Sequence, residues 1–415
     1  MSIKKILALL GPGLLFASMA IGTSHLVLST KAGAQYGWLM VIPILAANLL
    51  KYPFFEFGIR FTHIKKQSLL EGYAAFGKKY LWGYSLITAI SACTILSALY
   101  IVTAGLLKQL LPWFTGSDGQ MAMILFAGIS ALLVIGQYAL LEKAIKILLI
   151  GLCLSLLITT SMVLFKGPIS PKQDFEAPLF FDSAGLLFLI GLMGWMPTAV
   201  EASSWISMWR LEKTKQSGSS LSLKEVLLEF NIGYILTALL ALCFLVIGWY
   251  TLYGSGTELS GSAAIFSNQL IHLFTIHMGS WAYYFIALAA FATMFSSCMT
   301  AHDALARIGM ESIRLLKSKP FTPKKEYYTW TVILLGGLNA SVIWWASGNM
   351  GLLVTIATFT SFVFAPAIGL LNHKMVTQKS FPKKSSPPKW MLLLSYIGIA
   401  SLSLFAIYYC YVLWL

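Results

Sequence analysis

The chain reads as an all-α integral membrane protein built from two inverted groups of five helices plus one more. Three observations predict this: a composition too apolar for a water-facing surface, about eleven runs long enough to cross a bilayer, and helix breaks at similar depth in two of those runs. Hydrophobic residues make up 58% of the sequence and charged residues 11%, where a soluble domain carries roughly 25% charged. Mean hydropathy is +0.78. A ~30 Å hydrocarbon core needs about 20 apolar residues per helix, and backbone groups that cannot reach water must pair within the segment.

In chain order the expected spans are 6–28, 36–58, 81–108, 120–138, 143–165, 183–209, 226–251, 280–302, 327–346, 350–372 and 390–413. The first, opening "MSIKKILALLGPGLLFASMA", has the basic start and apolar run of a signal peptide. Its apolar stretch continues past the small residues, so it is read as a retained span. The connection Thr251 to Gly279 contains "AAIFSNQLIHLFTIH", whose periodicity predicts a short helix on the external face. The polar segment "FKGPISPKQDFEAP" separates two groups of five, 6–165 and 183–372, with 390–413 left over. Five is odd, so the second group enters from the opposite side, as an inverted repeat requires.

The net charge of +14 follows the same plan. Basic residues gather in alternate loops: Lys4-Lys5, Arg60 to Lys79, Lys143 and Lys146, Arg210 to Lys224, Arg307 to Lys325, and Lys374 to Lys389. The intervening loops hold only Lys31, Lys108, Lys166 and Lys172. This positive-inside bias predicts a multi-pass inner (plasma) membrane protein with a cytoplasmic N-terminus and an external C-terminus. The excess marks orientation and attraction to anionic lipid heads, with no module for nucleic acid. Five scattered cysteines without CxxC spacing suggest neither a disulfide framework nor a zinc site.

Two spans carry interruptions. Gly22-Thr23-Ser24-His25 breaks the first, and Gly194 with Pro197 breaks the sixth, "LIGLMGWMPTAVEASSWIS". Proline removes a backbone donor and clashes with the preceding turn. Ordinary kinks would account for either alone; the pair points to a midplane substrate site built from half-helix ends. Ionisable residues inside spans are functional candidates by default, and Glu201 lies one turn beyond Pro197. It either charges the site, faces cytoplasmic water or pairs with a basic neighbour. His25 is read as a ligand, as a proton carrier with an ordinary pKa of about 6.5, or as an imidazole bonded to a backbone carbonyl. Glu56 with Arg60 and Asp303 with Arg307 have i,i+4 spacing and are expected as interfacial ion pairs, His302 beside the latter. Lys51 is expected to snorkel to the interface. No GxSxG, HExxH, Walker loop or CxxC pair appears, so an enzyme is not expected and no cofactor is implied.

The chain resembles the NRAMP (natural resistance-associated macrophage protein) metal-ion transporters along nearly its whole length. "GPGLLFASMAIGTSHLVLSTKAGAQYGW" keeps that family's opening Gly11-Pro12-Gly13 and its Gly33, Tyr36 and Gly37. Met196-Pro197 matches the Met-Pro of its sixth helix, "FFEFGIRFTHIKKQSLLEGY" its second helix and next loop, and "SSCMTAHDALARIGMES" its eighth helix. The resemblance implies a LeuT-like secondary transporter, moving manganese, iron or related divalent ions with protons. Departures are concentrated at the site. The family's Asp-Pro-Gly-Asn is replaced by Gly22-Thr23-Ser24-His25, with the metal-ligating aspartate falling on Gly22 and the asparagine on His25. The sixth-helix methionine is kept as Met196, and the backbone carbonyl one turn earlier falls on Met193. The flanking histidines fall on Thr198 and Ser203, and the acidic pair of the third helix at about Leu96 and Leu99. What remains to ligate an ion is His25, Met196, Met193, backbone carbonyls and the hydroxyls of Thr23, Ser24 and Thr198, with Glu201 as the candidate charge. His25 and Glu201 are the candidate proton carriers. Such a set suits a borderline or soft transition metal better than magnesium or calcium. The alternative expectation is a LeuT-fold transporter of a small organic solute such as an amino acid, since half-helix N-termini bind carboxylates well.

Overall fold

The computed structural model describes residues 12–179, 181–217, 221–317, 325–346 and 349–414. Lys4, Lys5, Gly11, the first residues of the expected first span, the side chains of Lys143 and Lys146, and residues 318–324 of a basic loop lie outside that description. Among the described residues there are fourteen α-helices and one isolated β-bridge, Ser262 to Asn349.

The first span is α1 (Pro12–Ala20), interrupted at Ile21-Gly22, resumed as a π-helical turn over Ser24–Ser29 and completed by α2 (Thr30–Tyr36). A π turn is a rare local widening that recurs at functional sites. Next come α3 (Val41–Lys65), the short α4 (Leu69–Phe76), α5 (Lys78–Leu110) and α6 (Asp118–Lys166). The sixth span is again split, into α7 (Ser183–Trp195) and α8 (Ala202–Ser217), with Met196 to Glu201 non-helical between them. The rest are α9 (Leu223–Leu252), α10 (Ala263–Met278), α11 (Tyr283–Leu316), α12 (Lys325–Trp345), α13 (Met350–Thr377) and α14 (Lys389–Trp414). The helix expected in the Thr251–Gly279 connection is α10, lying against α5.

Eleven spans were expected, and seven helical stretches among the described residues are long and apolar enough to cross a membrane. The differences are local. The end of the first span runs into the second as one stretch, Ser24–Lys65. The sixth is split by its break, and the ninth, helix α12, is not among the seven. The fourth and fifth, expected with a loop between them, share the single 49-residue helix α6. Its connecting segment "YALLEKAIK" is polar enough to read as a loop, but Ala, Leu, Glu and Lys are strong helix formers and nothing stops the helix there.

Helix α9 is seated on both halves of the broken first span through glycine contacts. A Cβ on Gly33 would lie 2.0 Å from the Leu245 carbonyl oxygen, and one on Gly248 would lie 2.2 Å from that of Thr30. At the other end a Cβ on Gly233 would lie 2.3 Å from the Gly13 oxygen. In lipid, where apolar side chains gain little by leaving the solvent, such close backbone approach is what binds helices together. Ionic ties close the same end of the bundle as Gly13: Glu229 accepts from the Gly13 amide at 3.0 Å and pairs with Arg210 at 3.5 Å. Arg314 bridges Glu71 at 2.8 Å and Glu311 at 2.7 Å. Glu56–Arg60 and Asp303–Arg307 do form ion pairs, but as buried ones: Asp303 also accepts from Trp209 Nε1 at 3.0 Å and Tyr328 Oη at 2.7 Å.

Overpacking a close contact costs about 1–3 kcal/mol or more. Gly33→Val is therefore expected to lower the thermal midpoint of the purified protein by several degrees or to prevent folding. Gly128→Ala, where a Cβ meets nothing within 4 Å, is expected to leave the midpoint unchanged; fluorescence-monitored melting in detergent distinguishes the two.

Candidate functional site

The two breaks face each other. Ending α1 at Ala20 and α7 at Trp195 leaves carbonyls in the last turn of each without an amide partner one turn on. Ser24 spans the gap: its Oγ lies 2.6 Å from Ala20 O, in the last turn of α1, and 3.4 Å from Pro197 O, in the link after α7. Between the breaks sits a small cavity of about 20 Å³. Met19, Thr23, Ser24 and Thr198 supply its sulfur and oxygen atoms, and Ile95, Leu99, Trp195 and Trp205 wall it. Its volume holds about one water or one bare ion, whereas small organic ligands take pockets of roughly 300 Å³ or more. Two buried polar atoms of lining residues, Thr23 Oγ1 and Trp205 Nε1, make no hydrogen bond among the described residues. Buried polar groups are nearly always paired, so these two are exceptions beside the cavity.

Of the residues expected at the site, Thr23, Ser24 and Thr198 meet in this cavity. Gly22 is adjacent, and what faces it is informative. A Cβ there would lie 3.1 Å from Ser297 Oγ and 3.2 Å from Leu99 Cδ2, so the space beside the residue where the resemblance implied a carboxylate is taken by a serine and a leucine. His25 is fully buried and directed toward α9: Nε2 is 2.9 Å from Thr237 O, and Nδ1 is 2.8 Å from Ser24 Oγ. Met196 is fully buried at the break. Met193 stands in the last turn of α7, its side chain lining a separate apolar recess with Leu39, Pro43, Leu402 and Phe405. Glu201 is fully buried beyond the break, its Oε1 accepting from Ser91 Oγ at 2.8 Å and Ser361 Oγ at 3.4 Å, while Oε2 makes no hydrogen bond. Ser361 also accepts from Trp195 Nε1 at 3.0 Å, linking Glu201 to the cavity wall.

Lys51 corrects its expectation. It does not snorkel: it is fully buried on α3, and its Nζ donates to Gly194 O at 2.7 Å and Thr198 O at 3.3 Å. Reaching the interface would strand those two carbonyls, which the break has freed in a water-poor interior. Met19, Trp195 and Trp205 were also missed, because methionine and tryptophan in an apolar run look like packing. Met19 does lie three residues before Gly22, one helical turn from the break. Among the described residues no three His, Cys, Asp or Glu side chains converge as a metal cluster.

An all-helical bundle with two facing half-helix pairs and an ion-sized chamber between them is the arrangement of a membrane transporter, and the family match bears this out. The model of the family described as "Natural resistance-associated macrophage protein-like" matches residues 13–412, and the chain belongs to that family. It is 33% identical over 403 residues to an uncharacterized protein of Pasteurella multocida, covering 96% of this chain and 91% of that one. Its fold is similar to the crystal structure of a manganese transporter of Eremococcus coleocola bound to an aromatic bis-isothiourea compound. The TM-score is 0.74 at 14% identity, over 97% of this chain and 86% of that one. It is also similar, with a TM-score of 0.59 at 13% identity over 96% and 89% of the two chains, to a Na+-coupled sialic acid symporter in its substrate-bound outward-open state. The LeuT-like architecture expected from the resemblance is thus the observed one.

Replacing Thr23 by valine removes an unsatisfied hydroxyl while keeping shape. Thr23→Val is expected to match the stability of wild type or exceed it by up to about 1 kcal/mol, read by thermal melting. Gly22→Asp is expected to fold poorly; pairing it with Leu99→Ala, which vacates the opposing space, is expected to recover yield on size-exclusion chromatography.

Proposed function

We propose that the protein is a secondary active transporter that moves a transition-metal cation, divalent in the usual case, by alternating access, with an atypical, carboxylate-poor site. The observation that carries this reading is the size and chemistry of the chamber between the breaks: about 20 Å³, with a thioether and three hydroxyl-bearing residues on its walls. That volume suits one ion and excludes an amino acid in this conformation. Met19 on the chamber lining offers soft sulfur, which favours borderline and soft metals over magnesium and calcium; Met196, buried at the second break, is not among the lining residues. Thr23, Ser24 and Thr198 offer neutral oxygen. Gly22 offers no side chain, the space beside it being taken by Leu99 and Ser297, and Met193 offers its carbonyl. His25 supports the site from behind, holding the π turn against α9.

Glu201 is the carboxylate beside the breaks, and one of its oxygens is without a hydrogen bond; we assign coupled proton movement to it in preference to His25, whose ring nitrogens are both engaged. The alternation of basic loops supports a cytoplasmic N-terminus and an external C-terminus, with inverted repeats at 6–165 and 183–372 and an added helix at 390–413. The partners are then the cargo ion and the lipid bilayer.

Calorimetry on purified protein with manganese, zinc, copper, magnesium and pooled amino acids tests the reading, repeated on Met19→Ala, Met196→Ala and His25→Ala. A transition metal is expected to bind, to weaken at least tenfold in Met19→Ala, and to enter proteoliposomes faster under an imposed pH gradient. Uptake of an organic solute with no heat from any metal would replace the metal reading with the amino-acid one. Uptake in Glu201→Gln that still follows the pH gradient would remove the proton assignment.

A further inference from the structure

Lys51 has no role in the transport reading above, yet it is among the most deeply placed charges in the molecule. Its side chain is fully buried on α3, in a run otherwise apolar from Leu49 to Phe55. Its ammonium is held by the end of another helix: Gly194 O, in the last turn of α7, at 2.7 Å and Thr198 O, in the non-helical link, at 3.3 Å. The end of a helix collects the negative ends of its peptide dipoles, and carbonyl oxygens freed by a helix break are the groups that elsewhere coordinate alkali ions in membrane proteins. Glu201, three residues beyond Thr198 and fully buried, adds its charge; the two side chains interact electrostatically. The arrangement therefore has the carbonyl oxygens, the nearby acidic side chain and the burial of a small cation site, and its occupant is part of the chain.

We propose that Lys51 is a tethered cation: its ammonium fills a carbonyl cup at the broken sixth span that a free monovalent cation could otherwise occupy. It is a positioning residue, acting on the link that carries Thr198 and on Glu201. The protein consequently needs no free alkali ion at this place to hold its sixth span in the broken form. The inference does not depend on which cargo the chamber takes.

Truncation to alanine removes the Cγ-to-Nζ fragment, which is n-propylammonium in free form. The full chain is purified in detergent, and its melting is followed at constant ionic strength in sodium, n-propylammonium or tetramethylammonium chloride. Wild type is expected to melt alike in all three. Lys51→Ala is expected to melt lower in tetramethylammonium, and to gain at least ~2 °C from n-propylammonium, which binds the vacated cup by mass action; sodium is expected to give a smaller gain. Lys51→Met refills the stem without the charge and is expected to melt below wild type and respond to none of the salts. The proposal is overturned if Lys51→Met melts like wild type. It is equally overturned if Lys51→Ala gains as much from tetramethylammonium, too large for the cup, as from n-propylammonium, or gains from neither. If Lys51→Met yields no folded protein, Lys51→Ala prepared throughout in n-propylammonium decides: folded protein there and none in tetramethylammonium is the expected outcome, and none in either refutes the proposal. Melting involves no cargo, so a failed metal titration leaves this test standing.

Discussion

Everything distinctive in this structure follows from one rule: a backbone polar group inside a bilayer has to find a partner within the protein. Unbroken helices satisfy it automatically. Two helices here do not, and around each break the chain supplies substitutes. Ser24 reaches the carbonyls of Ala20 and Pro197, and Lys51 reaches those of Gly194 and Thr198. His25 meets Thr237 O on α9. The polar residues that look out of place in the sequence are largely those that make the breaks tolerable. Thr23 Oγ1, Trp205 Nε1 and one oxygen of Glu201 are left without a hydrogen bond among the described residues.

The electrostatic balance of the site differs from the one its family resemblance implies. Gly22 stands where that resemblance places a carboxylate, Leu99 occupies the space opposite, and a lysine is built into the second break. Glu201 is buried beyond that break, its Oε1 held by Ser91 and Ser361. A cation entering the chamber would be held by neutral dipoles and sulfur, with little net charge to attract it. Polarisable ligands matter more under those conditions, since a hard ion loses its hydration shell to them at a poor exchange.

The positions of the breaks were legible because glycine and proline have few uses in the middle of an apolar helix. Thr23, Ser24 and Thr198 could be named from their place in those breaks. Lys51 could not be placed correctly, because a sequence gives a lysine's distance from the helix end but not what stands opposite it. A long flexible stem reaches the interface as easily as a neighbour's carbonyl, and only the packing of α3 against the sixth span decides. Met19 was hidden for a related reason: a methionine one turn from a break is chemically a ligand and statistically a filler. The joining of two expected spans into α6 went the other way, since a short polar segment of good helix formers is consistent with either a loop or a continuing helix.

The glycine contacts of α9 bear on how such a protein could change shape. Side-chain interfaces can slide by exchanging rotamers, but backbones that touch directly have no such slack. Helix α9 meets the first span backbone to backbone on either side of its break, at Gly13 with Gly233 and at Thr30 and Gly33 with Gly248 and Leu245. Those three segments are geared together and must travel as one body. Helix α9 is thereby the spine along which both halves of the broken helix keep their register.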